Sequence, residues 1–533
     1  MSTFYTDVIA PRLDKQATPQ NQPIPGREAE MTRNNAGGFT FTLDKWGRFD
    51  RFLILGSDTP TYYQEAPALT RENTKNVFDC IKEDGQRAVT RTVEISTSGR
   101  APKNDPAEFA LAIAAVHGDA ETVKAAYGAL SRVCRTGTHL FQFVDALDRM
   151  GKWNAAAKRG VAKWYTDRDV NRMALQLVKY QSRNGWSHRD VLRLAHVKPL
   201  TDVQSGAFRY VVKGPEGMVK GQPVPELLVN FERLKKADAK TAISIISANK
   251  DVTWEMIPTE LQRDADVWAA LLPNMGLTAM IRKLGQLTNV GLIAPLSEGA
   301  KLVIAKLQHA EAIKSARVHP VTLLNALKQY SAGKGDKGSL TWSPDQRVIS
   351  TLNDAFYDSF SFIESTGESY LLGVDCSSSM FGYRVNKSSL TAAEVAGVMA
   401  LAIAKREPNH WIGGFNTQMG ELKINPSMRL DDALRVIQRF SWGGTDCALP
   451  MLHASKHKMQ VDKFVVITDN ETWAGRTAPT QALQQYRSEF NRTSKLIVCG
   501  TTATNFTIAD PRDPGMLDVV GFDSAVPQLI QQF

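Results

Sequence analysis

The chain has few cysteines. Among 533 residues there are five, Cys80, Cys134, Cys376, Cys447 and Cys499, odd in number, scattered, and nowhere spaced C-x-x-C. That excludes a disulfide-built scaffold and a zinc knuckle, and it points to a reducing compartment, the cytoplasm. Long apolar runs are also missing, since none approaches the ~18 residues needed to cross a bilayer. The start, MSTFYTDVIAPRLDKQ, lacks the basic-then-apolar order of a secretion signal. No membrane partner is expected. There is no P-loop, no H-E-x-x-H and no G-x-S-x-G, so the common motifs for phosphate cradling, zinc hydrolysis and acyl transfer are absent. The expectation is a protein without catalytic activity.

Charge is present but uneven. The net charge is +9. From Ser365 onward there are 16 Lys and Arg against 16 Asp and Glu, which leaves 48 against 39 before it. A basic part joined to a neutral one suggests a polyanionic partner for the first.

The pattern along the chain changes twice. Residues 1–35, rich in Pro, Gln and Asn, read as a flexible arm or loosely packed strap. Residues 39–64 read as short strands, or a strand and a helix. Residues 36–364 read as one helical domain, and from Leu69 to about Tyr330 the pattern is helical, with segments such as 106-PAEFALAIAAVHG-118 and 119-DAETVKAAYGALSRVC-134; many such segments open on Thr, Asp or Ser or end at Gly. Short amphipathic helices over this length suggest stacked pairs, a HEAT-like solenoid. In residues 365–533 strand and helix alternate, with strands expected at 369–375, 410–416, 463–469, 495–502 and 517–522. The predicted fold class is thus α plus α/β, a helical solenoid followed by a doubly wound parallel sheet.

The second part carries the clearest chemistry. The stretch 369-SYLLGVDCSSSM-380 is an apolar strand ending in a loop with Asp375, Ser377 and Ser379. Thr445 follows two glycines in 441-SWGGTDCALPM-451, and Asp469 ends the second apolar strand, 463-KFVVITDNET-472. Strand ends meet at one edge of an open α/β sheet, so these oxygens can converge there. Carboxylates and hydroxyls are hard ligands that suit a divalent cation, Mg²⁺ first and Ca²⁺ next, rather than zinc. D-x-S-x-S, then Thr, then Asp resembles the metal-ion-dependent adhesion site of von Willebrand factor A domains.

The helical part offers a basic stretch. Arg168, Arg172, Gln176, Lys179 and Arg183 fall three or four residues apart, which puts them on one face of a helix read over 168–185. Segment 186-WSHRDVLRLAHVKP-199 adds His188, Arg189, Arg193, His196 and Lys198. Such groups can follow a phosphate backbone, and the nearby Trp164, Tyr165, Tyr180 and Trp186 could stack on unpaired bases.

Taken together, 183-RNGWSHRDVLRLAHVKP-199, 373-GVDCSSSM-380, 442-WGGTDCALPM-451, 467-ITDNETWAG-475 and 496-LIVCG with FTIADP to 511 resemble the Ro autoantigen, or TROVE-domain, family, bacterial members included. The likeness is read from about Phe52 to the end. The resemblance implies a ring of HEAT-like helices followed by a von Willebrand factor A domain. It implies binding of small noncoding Y RNAs on the outer basic surface and of single-stranded 3′ ends of misfolded RNAs in the ring's hole. It also implies a role in RNA quality control, with an exoribonuclease such as polynucleotide phosphorylase as partner. Lys179, Arg183, His188 and His196 match the family's Y RNA-binding stretch. Asp375, Ser377, Ser379, Thr445 and Asp469 match its metal site, where a partner's carboxylate fills an open position.

Two other functions compete. One is a metal-dependent protein-adhesion scaffold without RNA. The other is a Mg²⁺-dependent phosphoryl-transfer enzyme with Asp375 as nucleophile, disfavoured because Ser377 stands where a second carboxylate is usual.

Overall fold

The computed structural model describes residues 17–56, 66–101, 103–183, 185–316, 318–335, 339–359, 365–382, 390–440, 443–502, 504–521 and 526–533. The helical array runs from Lys45–Leu55 to Gln346–Asp358. Many of its helices start where the sequence supplies an oxygen cap. Asp44, Asp119, Thr136, Asn154 and Asp238 each accept a hydrogen bond from a first-turn amide, an interaction worth about 1 kcal/mol per helix. Successive helices bury their apolar faces on their neighbours, as Leu140, Phe141, Phe143, Val144 and Leu147 do along Gly137–Arg149.

Two parts of the array that lie far apart in sequence meet. The buried ring of His319, just before helix Pro320–Ser331, hydrogen-bonds the backbone carbonyl of Arg100, and Arg100 Nη2 reaches Val520 O at 3.3 Å. The first bond joins an early part of the array to a late one, as a ring-like array requires, and the second ties that junction to the C-terminal domain.

The C-terminal domain is built on a six-stranded sheet, in the order Met516–Val520, Lys495–Gly500, Lys463–Thr468, Tyr370–Asp375, His410–Phe415, Met419–Glu421. All five expected strands are there and run parallel. The antiparallel edge strand Met419–Glu421 was not expected. From Tyr370–Asp375 the chain goes first to one side and then to the other. That strand is therefore the switch point, and its C-terminal end faces the crevice where such sheets bind ligands. Helix Ala392–Ala404 is apolar on every face apart from the capping Glu394 and is buried along its whole length, as that pattern requires.

The sequence allows a flexible arm or a loosely packed strap over residues 1–35, and the described part is a strap. Residues 1–16 lie outside the described residues, but 17–44 are packed. Met31–Arg33 and Phe39–Thr42 form a hairpin, and Phe39–Thr42 pairs antiparallel with Phe506–Thr507 of the C-terminal domain. Gln20 Nε2 donates to Asp446 Oδ1 at 2.7 Å, and Arg27 pairs with Asp510. A polar segment can be ordered when its amides and side chains find partners elsewhere, and composition alone does not register those partners. Helix Lys45–Leu55 continues the attachment, with buried Arg51 donating to both oxygens of Asp518 at 2.7 and 2.8 Å.

Candidate metal centre and nucleic-acid interface

Asp375 is the last residue of the switch-point strand and is wholly buried. Its Oδ1 accepts from Ser377 N at 2.9 Å and its Oδ2 from Thr468 Oγ1 at 2.6 Å. The Ser377 and Ser379 hydroxyls are 3.1 Å apart. Ser379 also hydrogen-bonds Asp469, the residue that follows the adjacent strand. Asn470 then turns the chain with φ 65, a left-handed conformation that Asn tolerates better than most residues. Thr445 is fixed through its carbonyl, which accepts from Trp473 N and Ala474 N at 3.0 Å. Ser379, Thr445, Gly443, Gly444, Glu471, Trp473 and Ala36 line a cavity of about 260 Å³. Thus Asp375, Ser377, Ser379 and Asp469 form one bonded cluster, and Thr445 joins Ser379 in the cavity wall.

Burial and mutual repulsion dominate the electrostatics of this cluster. Burial, and then the charge of Asp469, push the Asp375 carboxyl up to about 7. Burial raises Asp469. Burial, and then Asp469, push Glu471 up to about 7. Among the described residues no Lys, Arg or His forms an ion pair with any of the three. Nor do three His, Cys, Asp or Glu groups converge closely enough to hold a metal by themselves, so the hydroxyls must complete any ligand set. Two carboxylates with two serines and a threonine are an all-oxygen set, and they fit Mg²⁺. Sequence reading passed over Glu471, Thr468 and Trp473. The signal for Glu471 was its place two residues after Asp469, the same spacing that marks Ser377 after Asp375.

The basic stretch is built differently from a single helix. The helix is Val170–Lys179, capped by Asp169, whose side chain accepts from Asn171 N and Arg172 N. Ser182–Arg183 then pairs with Trp186–Ser187 in a small hairpin with Gly185 at φ 79. Helix His188–Leu194 follows, closed by a capping box between Ser187 and Asp190. Arg168 therefore precedes the helix and Arg183 lies beyond it, so the five-residue basic face is a correction to be made. Only Arg172, Gln176 and Lys179 share the helix.

The candidate residues divide by exposure. Arg172, Arg183, Arg189, Arg193, His196 and Lys198 are exposed. Lys179 is half-buried, pairs with Glu255 at 3.3 Å, and borders a cavity of about 240 Å³ with Thr253, Trp254 and Met275. Arg168 sits over the Trp164 ring at 3.9 Å and donates to Cys134 O at 3.0 Å, so it holds the fold together at that point.

His188 is a clear correction. It is 2% exposed and packed among Phe141, Trp164 and Tyr165. Its Nδ1 is 2.8 Å from Tyr165 Oη and its Nε2 is 3.1 Å from Gln176 O. Burial lowers its pKa to about 4, so it is neutral and cannot touch a phosphate directly. Trp164 and Tyr165 are also fully buried and cannot stack on bases. Trp186 remains half-buried with Nε1 on Asp145 Oδ1 at 3.3 Å. The i, i+4 pair His453 and His457 packs with tilted rings, and His453 stacks on Trp411, which is a packing arrangement.

Comparison with known proteins places these sites in context. The sequence matches the TROVE domain over residues 32–215 and 233–329, and the Ro60 vWA domain over 369–533. It is 39% identical to "RNA-binding protein RO60" of Deinococcus radiodurans, covering 98% of both chains. It is 31% identical to the Caenorhabditis elegans protein of the same name, over 94% of this chain and 90% of that one. The crystal structure of the Deinococcus radiodurans RO (RSR) protein is similar with a TM-score of 0.71 and 37% identity, covering 92% of this chain and 99% of that one. The likeness thus starts well before Phe52 and takes in the N-terminal hairpin. With a helical ring, a switch-point oxygen cluster and matches over nearly its full length, the chain belongs to the Ro60 family, a TROVE domain followed by a von Willebrand factor A domain.

Proposed function

We propose that the chain is a noncatalytic RNA-binding protein of the cytoplasm. It holds small structured RNA of the Y class on the exposed basic surface around the Ser182–Ser187 hairpin, and it accepts single-stranded 3′ ends of misfolded RNA in the hole of the helical ring. In this reading it serves RNA quality control, with an exoribonuclease working beside it. The observation that carries the reading is the gathering of Arg172, Arg183, Arg189, Arg193, His196 and Lys198 on the surface of two short helices and the hairpin between them. Cations so placed neutralise phosphates, and the relatives' names agree. The oxygen cluster at Asp375 and Asp469 holds Mg²⁺ and offers it to a carboxylate of a partner protein.

The test is to purify the native protein, wash it at graded salt, and sequence any RNA retained. A discrete small RNA that leaves between moderate and high salt is expected, and Arg183→Ala with Arg189→Ala should release it at lower salt. Protein that carries no RNA and ignores added structured RNA would overturn the reading. It would favour the adhesion scaffold, which three buried carboxylates with no ion-pair partner among the described residues, beside an open cavity, also support.

A further inference from the structure

The tip of the N-terminal hairpin lies against the metal site. Residues 34–38 connect Met31–Arg33 to Phe39–Thr42. Asn34 fixes this tip, with Nδ2 on Thr472 O at 2.7 Å and Oδ1 accepting from Gly38 N at 2.8 Å. Gly38 runs so close to the chain after Asp469 that an added Cβ would stand 1.8 Å from Thr472 O. This places Asn35 and Ala36 over Glu471. Asn35 Nδ2 donates to Oε1 at 2.6 Å and Ala36 N to Oε2 at 3.0 Å. The backbone amide of Asn35 adds a further bond. Glu471 is 3% exposed. It shares the cavity with Ser379 and Thr445, and its own amide donates to Asp469 Oδ1 at 3.0 Å.

This carboxylate is therefore attached by its backbone to one metal-site aspartate, opens on the same cavity as two of the hydroxyl ligands, and has both oxygens occupied by the hairpin. Resting on the metal reading above, we propose that the hairpin tip belongs to the metal site. Asn35 and Ala36 hold Glu471 back from the cation and so keep one coordination position open to an outside carboxylate. Glu471 is the internal competitor for that position, and Asn35 is a positioning residue. Without the tip, Glu471 turns into the cavity, joins the cation as a further charged oxygen ligand, and closes the site to partners.

The experiment uses the full chain and Mn²⁺ as a paramagnetic probe, reading affinity by titration and inner-sphere water by proton relaxation. Acetate serves as the outside carboxylate. In the unaltered protein, bound Mn²⁺ should keep an exchangeable water that acetate displaces. Asn35→Asp keeps the side chain's size but repels Glu471. It should tighten Mn²⁺ binding roughly tenfold through the added charged ligand, lower relaxivity per bound ion, and abolish acetate competition. Adding Glu471→Gln to Asn35→Asp should restore the relaxivity and the acetate response. The latch is overturned if Asn35→Asp leaves relaxivity and acetate competition unchanged, or if its effects persist with Glu471→Gln. If the unaltered protein binds no Mn²⁺ in a way that Asp375→Ala removes, the metal reading itself fails and the latch with it.

Discussion

Replacing Asp375 by Asn should stabilise the metal-free protein while removing its response to Mg²⁺. Asp375 is wholly buried beside Asp469, and its carboxyl is pushed up from 3.8 to about 7. Holding it ionised costs about 4 kcal/mol at 1.36 kcal/mol per pK unit. The amide oxygen can keep the bond from Ser377 N, while the amide nitrogen replaces the oxygen that accepts from Thr468 Oγ1 and must donate to that hydroxyl instead. A raised carboxyl gives its full stability below the unfolded value and loses it as pH rises through the folded value. The gap between variant and parent should therefore be nil near pH 4, grow through pH 5 and 6, and level off above about 7. For a domain of this size, at about 2–4 °C per kcal/mol, the plateau corresponds to a rise of roughly 8–16 °C in Tm. The assay is thermal melting in EDTA across that pH range, repeated in Mg²⁺. The parent should gain stability on adding Mg²⁺ by mass action, and the variant should not. A variant no more stable than its parent in EDTA at pH 8 would refute the argument that these carboxylates are waiting for a cation.

Other outcomes follow from the same geometry. His188→Ala should destabilise the helical domain by about 2–4 kcal/mol, because it leaves a cavity among Phe141, Trp164 and Tyr165. Arg183→Ala should leave the melting point within about 0.5 kcal/mol of the parent yet weaken RNA binding and reduce the slope of log affinity against log salt by about 1. Equal losses of stability in both variants would contradict the division between core and surface made here. Acid should act through His139, His188 and His319, each lowered to about 4 by burial. Their contribution is intact above pH 6.5 and declines as pH falls from there toward 4, which a denaturant series between those values would detect. Gly38→Ala should loosen the hairpin from the C-terminal domain, since its Cβ would overlap Thr472 O. Faster proteolytic cleavage near residues 30–40 in that variant would register it.

What the sequence made legible depends on how local each signal is. The strand ending at Asp375 and the one ending before Asp469 each carry an apolar run that stops at an oxygen-bearing residue, so their convergence follows from the topology of parallel sheets alone. The basic stretch misled because arginines at helical spacing continue past Tyr180, where the helix has already ended. The dipeptide Asn184–Gly185 marks a two-residue hairpin turn as readily as a helix stop, and a hairpin explains why Arg183 and Arg189 stand on the surface. His188 looked like a phosphate contact beside Arg189. It is in fact the first residue of a helix whose inward face it shares with Val191 and Leu192. The N-terminal arm was illegible for a different reason. Its order depends on Asp446, Glu471, Thr472 and Asp510, more than 400 residues away, and no window of composition contains both partners.

That separation has a consequence for how the chain folds. Gln20 and Asp446 are 426 positions apart, and Arg27 and Asp510 are 483 apart. During synthesis the hairpin emerges long before its sheet partner Phe506–Thr507. The ring of helices can form while the hairpin still lacks its edge. Contacts of such long range slow folding, because loop-closure entropy is lost before they form. Closure of the first segment onto the last domain should therefore be a late and slow step. A truncation from either end should leave an unpaired strand edge, the kind of surface that invites pairing between copies.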